Sequence, residues 1–120
     1  MQTTFLQLAQ TYSADMIGWR RHLHAHPELS YQEFETAAFV QEKLHQLGIA
    51  TSKMANTGVI ACIEGKNPDK KTIALRADMD ALPIQEENDL PFRSVKEGIM
   101  HACGHDVHTS CLLGAARILQ

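Results

Sequence analysis

The hydrophobic spacing of this chain changes period at Gly48, and that change limits the fold more than any other feature. Before it, apolar residues recur every three or four positions. The first series is Phe5, Leu8, Tyr12, Met16, Trp19 and Leu23; the second is Phe34, Ala37, Val40, Leu44 and Leu47. Each predicts a helix with one buried stripe. Thr4 and Gln7 fit a capping box at the start of the first helix, and Pro27 bars its continuation. Ser30 and Glu33 fit a second capping box, with Gly48 as the C-terminal cap. Beyond Gly48 the runs Val59–Ile63 and Thr72–Leu75 are short, apolar and rich in β-branched residues. They predict strands of a sheet buried on both faces, with a weaker strand over Ile49–Met54 and a turn over residues 65–69.

Residues 83–98 carry no period, and an irregular loop of that length inside a domain is often functional. A last helix, with Leu112, Ala116 and Leu119 on one face, runs to Gln120 with no cap, Gly or Pro, and reads as a helix cut through. The fold class expected is therefore α/β: two helices, then a mixed sheet, then a closing helix. A chain of 120 residues suits one hydrophobic core. Hydrophobic residues at 44% and charged residues at 21% exclude intrinsic disorder.

A net charge of −3 leaves no basic footprint, so neither a nucleic-acid nor a membrane partner is expected. Three cysteines without a C-x-x-C pair suit reduced thiols and a cytoplasmic setting. The N-terminal residues Met1 to Phe5 show neither the basic nor the apolar region of a signal peptide. The longest apolar run is too short to span a bilayer.

Six of the seven histidines fall in two clusters, residues 22–26 and 101–108. In the second, Cys103, His105, Asp106 and His108 are residue types that ligate zinc and similar ions. On an extended segment Cys103 and His105 point to one side, and Gly104 between them lets the backbone approach an ion or substrate. Asp106 or His108 could add a ligand or a hydrogen bond that fixes a ring. Two other readings stay open: a polar helix entry capped by Asp106 or Thr109, and a nucleophilic Cys103 served by a histidine base. Asp78 and Asp80 follow an apolar strand at the end where open α/β sheets place their ligand sites, although Arg76 can neutralise one of them. His22 and His26, one helical turn apart, permit shared metal binding, but histidines there more often answer the helix dipole.

Taken in order, four segments resemble one family: His24-Ala25-His26-Pro27-Glu28-Leu29-Ser30, Thr57-Gly58-Val59, residues Arg76 to Pro83, and residues Met100 to His108. The chain, from about Trp19 to Gln120, resembles the M20 metallopeptidase family. Its nearest likeness is the amidohydrolase branch containing hippurate hydrolases, N-acyl-amino-acid amidohydrolases and auxin-conjugate hydrolases. The resemblance implies that residues 1–120 are the N-terminal part of a zinc-exopeptidase-like catalytic domain, without its dimerisation domain. It implies a hydrolase using two divalent metal ions (Mn, Zn, Co or Ni) to cleave the amide bond of a small N-acyl amino acid, hippurate-like or N-acetylated.

Cys103 and His105 match metal ligands of the branch, and Asp80 matches its catalytic-site aspartate. Asp78 stands where the wider family carries a ligand histidine. The family's paired glutamates, further ligand histidines and homodimer-forming domain lie downstream of the Cys-x-His motif in relatives, and no glutamate follows His105 here. Activity is therefore expected of the complete protein rather than of these residues alone. Glu86 and Glu87, upstream, are given no such role. The alternatives are a non-catalytic metal-binding module and a thiol-dependent amidase built on Cys103.

Overall fold

The computed structural model describes residues 3–120; Met1 and Gln2, on which part of the signal-peptide reading falls, lie outside the described residues. The elements run α1 (Phe5–Ala25), α2 (Phe34–Gln46), β1 (Thr51–Met54), β2 (Gly58–Ala61) and α3 (His105–Leu119). The order of two helices, a sheet and a closing helix is as expected. The sheet among the described residues is a two-stranded antiparallel hairpin, pairing Thr51 with Ala61 and Met54 with Gly58.

Local signals explain the helix ends. Thr4 and Gln7 form the expected box, with the Thr4 side chain accepting from the Gln7 amide and the Gln7 side chain accepting from the Thr4 amide. At the far end of α2, Gly48 adopts φ +78°, where a side chain would be strained. The Gly48 and Ile49 amides donate to His45 and Leu44 carbonyls at 2.8 and 2.9 Å, closing the helix in a Schellman motif. The start of α2 differs from expectation. Helix α2 begins at Phe34, so Ser30 lies too far upstream to cap it, and Glu33 at the N-cap makes no side-chain cap bond. Buried Glu28 takes the role instead, accepting from the Glu35 and Thr36 amides and the Thr36 hydroxyl.

The core gathers Val40 and Leu44 of α2, Ile49 and Leu113 of α3, with Trp19, Val59, Ile63 and Met79 packed around them. Helix α3 packs chiefly along α1. Gly114 makes that contact close, because a Cβ there would meet Met16 of α1. The buried face of α3 is Asp106, Thr109, Ser110, Leu113 and Gly114; of the expected Leu112–Ala116–Leu119 face, Ala116 packs against the core, whereas Leu119 is 54% exposed. Asp106 and Gly114 fit against α1, which a stripe read from bulk alone does not mark.

Two strand expectations need correction. Thr72–Leu75 forms no strand, and Ile73 and Leu75 are exposed. A strand needs a neighbour for its amides and carbonyls, and among the described residues β1 and β2 pair only with each other. Nor is the hairpin buried on both faces, since Ile60 and Ala61 are exposed.

Leu113 is the core's contribution from α3. Leu113→Ala is expected to cost about 2–5 kcal/mol in denaturant unfolding. Leu119→Ala, at an exposed position, is expected to cost less than about 0.5 kcal/mol. Equal losses would contradict this placement of the helix face.

Candidate functional site

Segment 78–82 is fixed from three sides before any side chain is considered. The Ala81 amide donates to the Glu28 carbonyl at 2.8 Å, and Leu82 and Met100 exchange backbone bonds at 2.9 and 3.0 Å. The Thr109 hydroxyl of α3 donates to the Asp78 carbonyl at 3.0 Å. The two aspartates then separate. Asp78 is exposed and pairs with Arg76, whose guanidinium holds the carboxyl below its usual pKa range. Asp80 turns inward, and its backbone carbonyl and Oδ1 each lie 2.9 Å from Nδ1 of His105. Both of those oxygens accept, so Nδ1 donates, and in the neutral ring Nε2 carries the lone pair.

Cys103 and His105 do not lie on one extended segment, as the spacing suggested. Gly104, at φ +99°, is the N-cap of α3, and His105 is its first residue. The turn that only glycine adopts without strain separates the thiol from the imidazole. Neither Asp106 nor Thr109 caps the helix. Cys103 is exposed and unpaired, as are Cys62 and Cys111. His105 directs Nδ1 to Asp80 rather than to the thiol, so it is not placed as a base for Cys103.

Asp106 faces away from the candidate ligands, into α1. It is 1% exposed, and its Oδ2 accepts from Arg20 Nε at 2.9 Å and pairs with His24 Nδ1 at 2.8 Å. The opposite ring nitrogen of His24 faces Glu86 Oε2 at 2.9 Å. Glu86 in turn accepts from the Ser94 amide and from Asn88 Nδ2, so the irregular 83–98 loop is wound around one buried carboxylate. The Glu86 carboxyl is lowered from 4.5 to about 2: burial pushes it up, but His24, Ser94 and Asn88 favour the anion more strongly.

The cluster at 22–26 is thus not only a helix end. His22 and His26 are exposed, whereas His24 is buried between two carboxylates. The one local hint was its position four residues after Arg20, beside the Trp19–Leu23 stripe. His101 is buried, and neither ring nitrogen has a hydrogen-bond partner. Burial lowers its pKa, against the opposing charge of Asp106.

A thiol and an imidazole whose second nitrogen is tied to a carboxylate suit a divalent transition ion, because metal-bound histidines are oriented in this way. They fit part of such a site. Among the described residues, no three His, Cys, Asp or Glu side chains converge as a complete set of ligands.

Residues 74–120 match the description Peptidase family M20/M25/M40. The chain is 54% identical over 113 residues to an N-acyl-L-amino acid amidohydrolase of Geobacillus stearothermophilus, covering 93% of this chain and 30% of that protein. It is 54% identical over 111 residues to an N-acetyl-L-cysteine deacetylase of Bacillus subtilis (strain 168), covering 92% and 26%. Its fold superposes on the Bacillus subtilis YXEP protein, described as a dinuclear metal binding peptidase of the M20 family. That match has a TM-score of 0.87 and 47% identity over 92% of this chain and 31% of that one. The chain is thus similar, over nearly its whole length, to members of the M20 peptidase family. It spans roughly a quarter to a third of the length of the curated relatives it matches.

The Glu86 environment makes stability depend on acid. A carboxyl whose folded pKa is depressed contributes stability above its unfolded value, and that contribution is lost as pH falls through the folded one. Unfolding free energy is therefore expected to decline between pH 4.5 and about 2, and Glu86→Gln is expected to flatten that decline. An identical decline in the variant would contradict the assignment.

Proposed function

We propose that this chain is the N-terminal part of the catalytic domain of a metal-dependent amidohydrolase, supplying two ligands and one positioning carboxylate to its metal centre. The observation that carries the reading is Asp80 holding His105 by Nδ1, one residue beyond a left-handed Gly104 that follows Cys103. The names of relatives at 54% identity support the reaction class.

In this reading Cys103, as a thiolate, and His105, through Nε2, bind a divalent ion of the Mn, Zn, Co or Ni group, and the complete centre holds two. Such ions, when bound, polarise a scissile carbonyl and make hydroxide available near neutral pH. The thiolate offsets part of the cationic charge. Asp80 keeps the His105 ring from turning and raises its basicity as a donor. It acts through His105 as a positioning residue rather than as the proton-transferring base. We assign that base and the remaining ligands to the portion of the relatives' length that this chain does not span. The substrate class is a small N-acyl amino acid, and the complete protein is proposed as a homodimer. Three unpaired cysteines favour a cytoplasmic setting. Among the described residues, no helix is long and apolar enough to cross a membrane.

In the full-length protein, hydrolysis of an N-acyl amino acid is expected to stop on chelation and return with Mn²⁺, Zn²⁺ or Co²⁺. Activity that survives chelation and is lost on thiol alkylation would instead establish the thiol-dependent alternative. Tight binding of one equivalent of metal by residues 1–120 alone would favour the non-catalytic module. Asp80→Asn is expected to lower turnover about 10–100-fold with little change in melting temperature. Near-normal turnover would refute its role.

A further inference from the structure

We infer that His24 is a positioning residue for the candidate metal centre, setting the first turn of α3 through Asp106; the inference rests on the metal reading above. It begins from a missing cap. The N-cap of α3 is Gly104, which has no side chain to fix the helix start, and only the Val107 and His108 amides close onto its carbonyl, at 3.1 Å. A helix end without a capping side chain frays readily. His105, the first residue of α3, sits on that end.

The restraint comes from the next residue. Asp106 is gripped at one oxygen by Arg20 and His24, both on α1. His24 is itself held at its far nitrogen by Glu86, which the 83–98 loop anchors at Ser94 and Asn88. The ring is 3% exposed, and the side chains of both carboxylates are 1% exposed. Turning the ring would take one partner from each of two buried carboxylates, so it is held from both sides. Two independent holds thus meet at His105: Asp106 and His24 set its backbone, while Asp80 sets its ring. If either hold is released, Nε2 no longer points along a fixed direction. Phe92 packs edge-on to the His24 ring at 5.7 Å and lies under the Arg20 and Arg21 guanidiniums, closing the network from the loop side.

The two ring nitrogens can be tested separately. In His24→Asn the side-chain amide is placed to replace the donor to Asp106 and is too short for Glu86. In His24→Gln the longer amide is placed for Glu86 and lost to Asp106. Co²⁺ titration of the full-length apoprotein, followed by the ion's visible spectrum, is read beside the melting temperature of each variant. His24→Gln is expected to weaken Co²⁺ binding about tenfold and to change its spectrum. His24→Asn is expected to stay within about threefold of wild type, although both variants lose thermal stability. Equal Co²⁺ affinities in the two variants, whether unchanged or equally reduced, would overturn the inference and leave a structural role only.

Should both His24 variants fail to fold, Arg20→Ala carries the test, since that side chain is 32% exposed and grips the same oxygen. A several-fold loss of Co²⁺ affinity is then expected, and unchanged affinity overturns the inference. Cys103→Ala separates the two levels. If it leaves Co²⁺ binding unchanged, the metal reading falls and this inference with it. If it abolishes binding while the His24 variants behave alike, only the positioning role falls.

Discussion

One carboxylate oxygen, Oδ2 of Asp106, joins three parts of this molecule that are far apart in sequence. It takes Arg20 and His24 from α1, it belongs to the first turn of α3, and through His24 it reaches Glu86 in the irregular loop. Buried charges are tolerated only when paired, and removing one partner of a buried pair costs about 3–5 kcal/mol. The positions of α1, α3 and the loop therefore depend on one another. The apolar core alone would not fix them: its buried members come from α2, Ile49 and Leu113, and α1 is only half-buried along most of its stripe.

This coupling bears on the site. Asp80 lies on a segment tied to the residues just beyond α1 by the Ala81–Glu28 backbone bond, and to α3 by Thr109. His105 lies on the turn that Asp106 anchors. The two meet at 2.9 Å because both are referred to the same end of α1. Cys103, on the other side of Gly104, is exposed and without a disulfide.

Local chemistry made much of this legible in the sequence. Thr4 with Gln7, Gly48, and the 3.6-residue stripes of α1 and α2 each state a boundary or a face within a few residues; the caps hold, and the stripes hold except at their first residues, Phe5 and Phe34, which are exposed. The pairing of strands is not local. Thr72–Leu75 has the composition of a strand but no neighbour among the described residues, and composition cannot supply one. The site divides in the same way. Cys103, His105 and Asp80 stand out as candidates because metal chemistry restricts residue type, and the structure brings Asp80 and His105 together. His24, Glu86 and the inward turn of Asp106 were missed because their contacts join positions 82 and 62 residues apart. A histidine near a helix end also has a simpler use, and only burial between two carboxylates reveals this one.

The most direct test of the account lies in one imidazole ring. With Asp80 offering two acceptors to Nδ1, the neutral His105 ring is expected as the Nδ1–H tautomer, with Nε2 free for metal. Long-range ¹H–¹⁵N spectra of the apoprotein at alkaline pH report the tautomer, and addition of ¹¹³Cd²⁺ reports which nitrogen couples to the ion. Protonated Nδ1 and cadmium coupling at Nε2 are the expected results. An Nε2–H tautomer, or coupling at Nδ1, would contradict the arrangement on which the proposed metal centre rests.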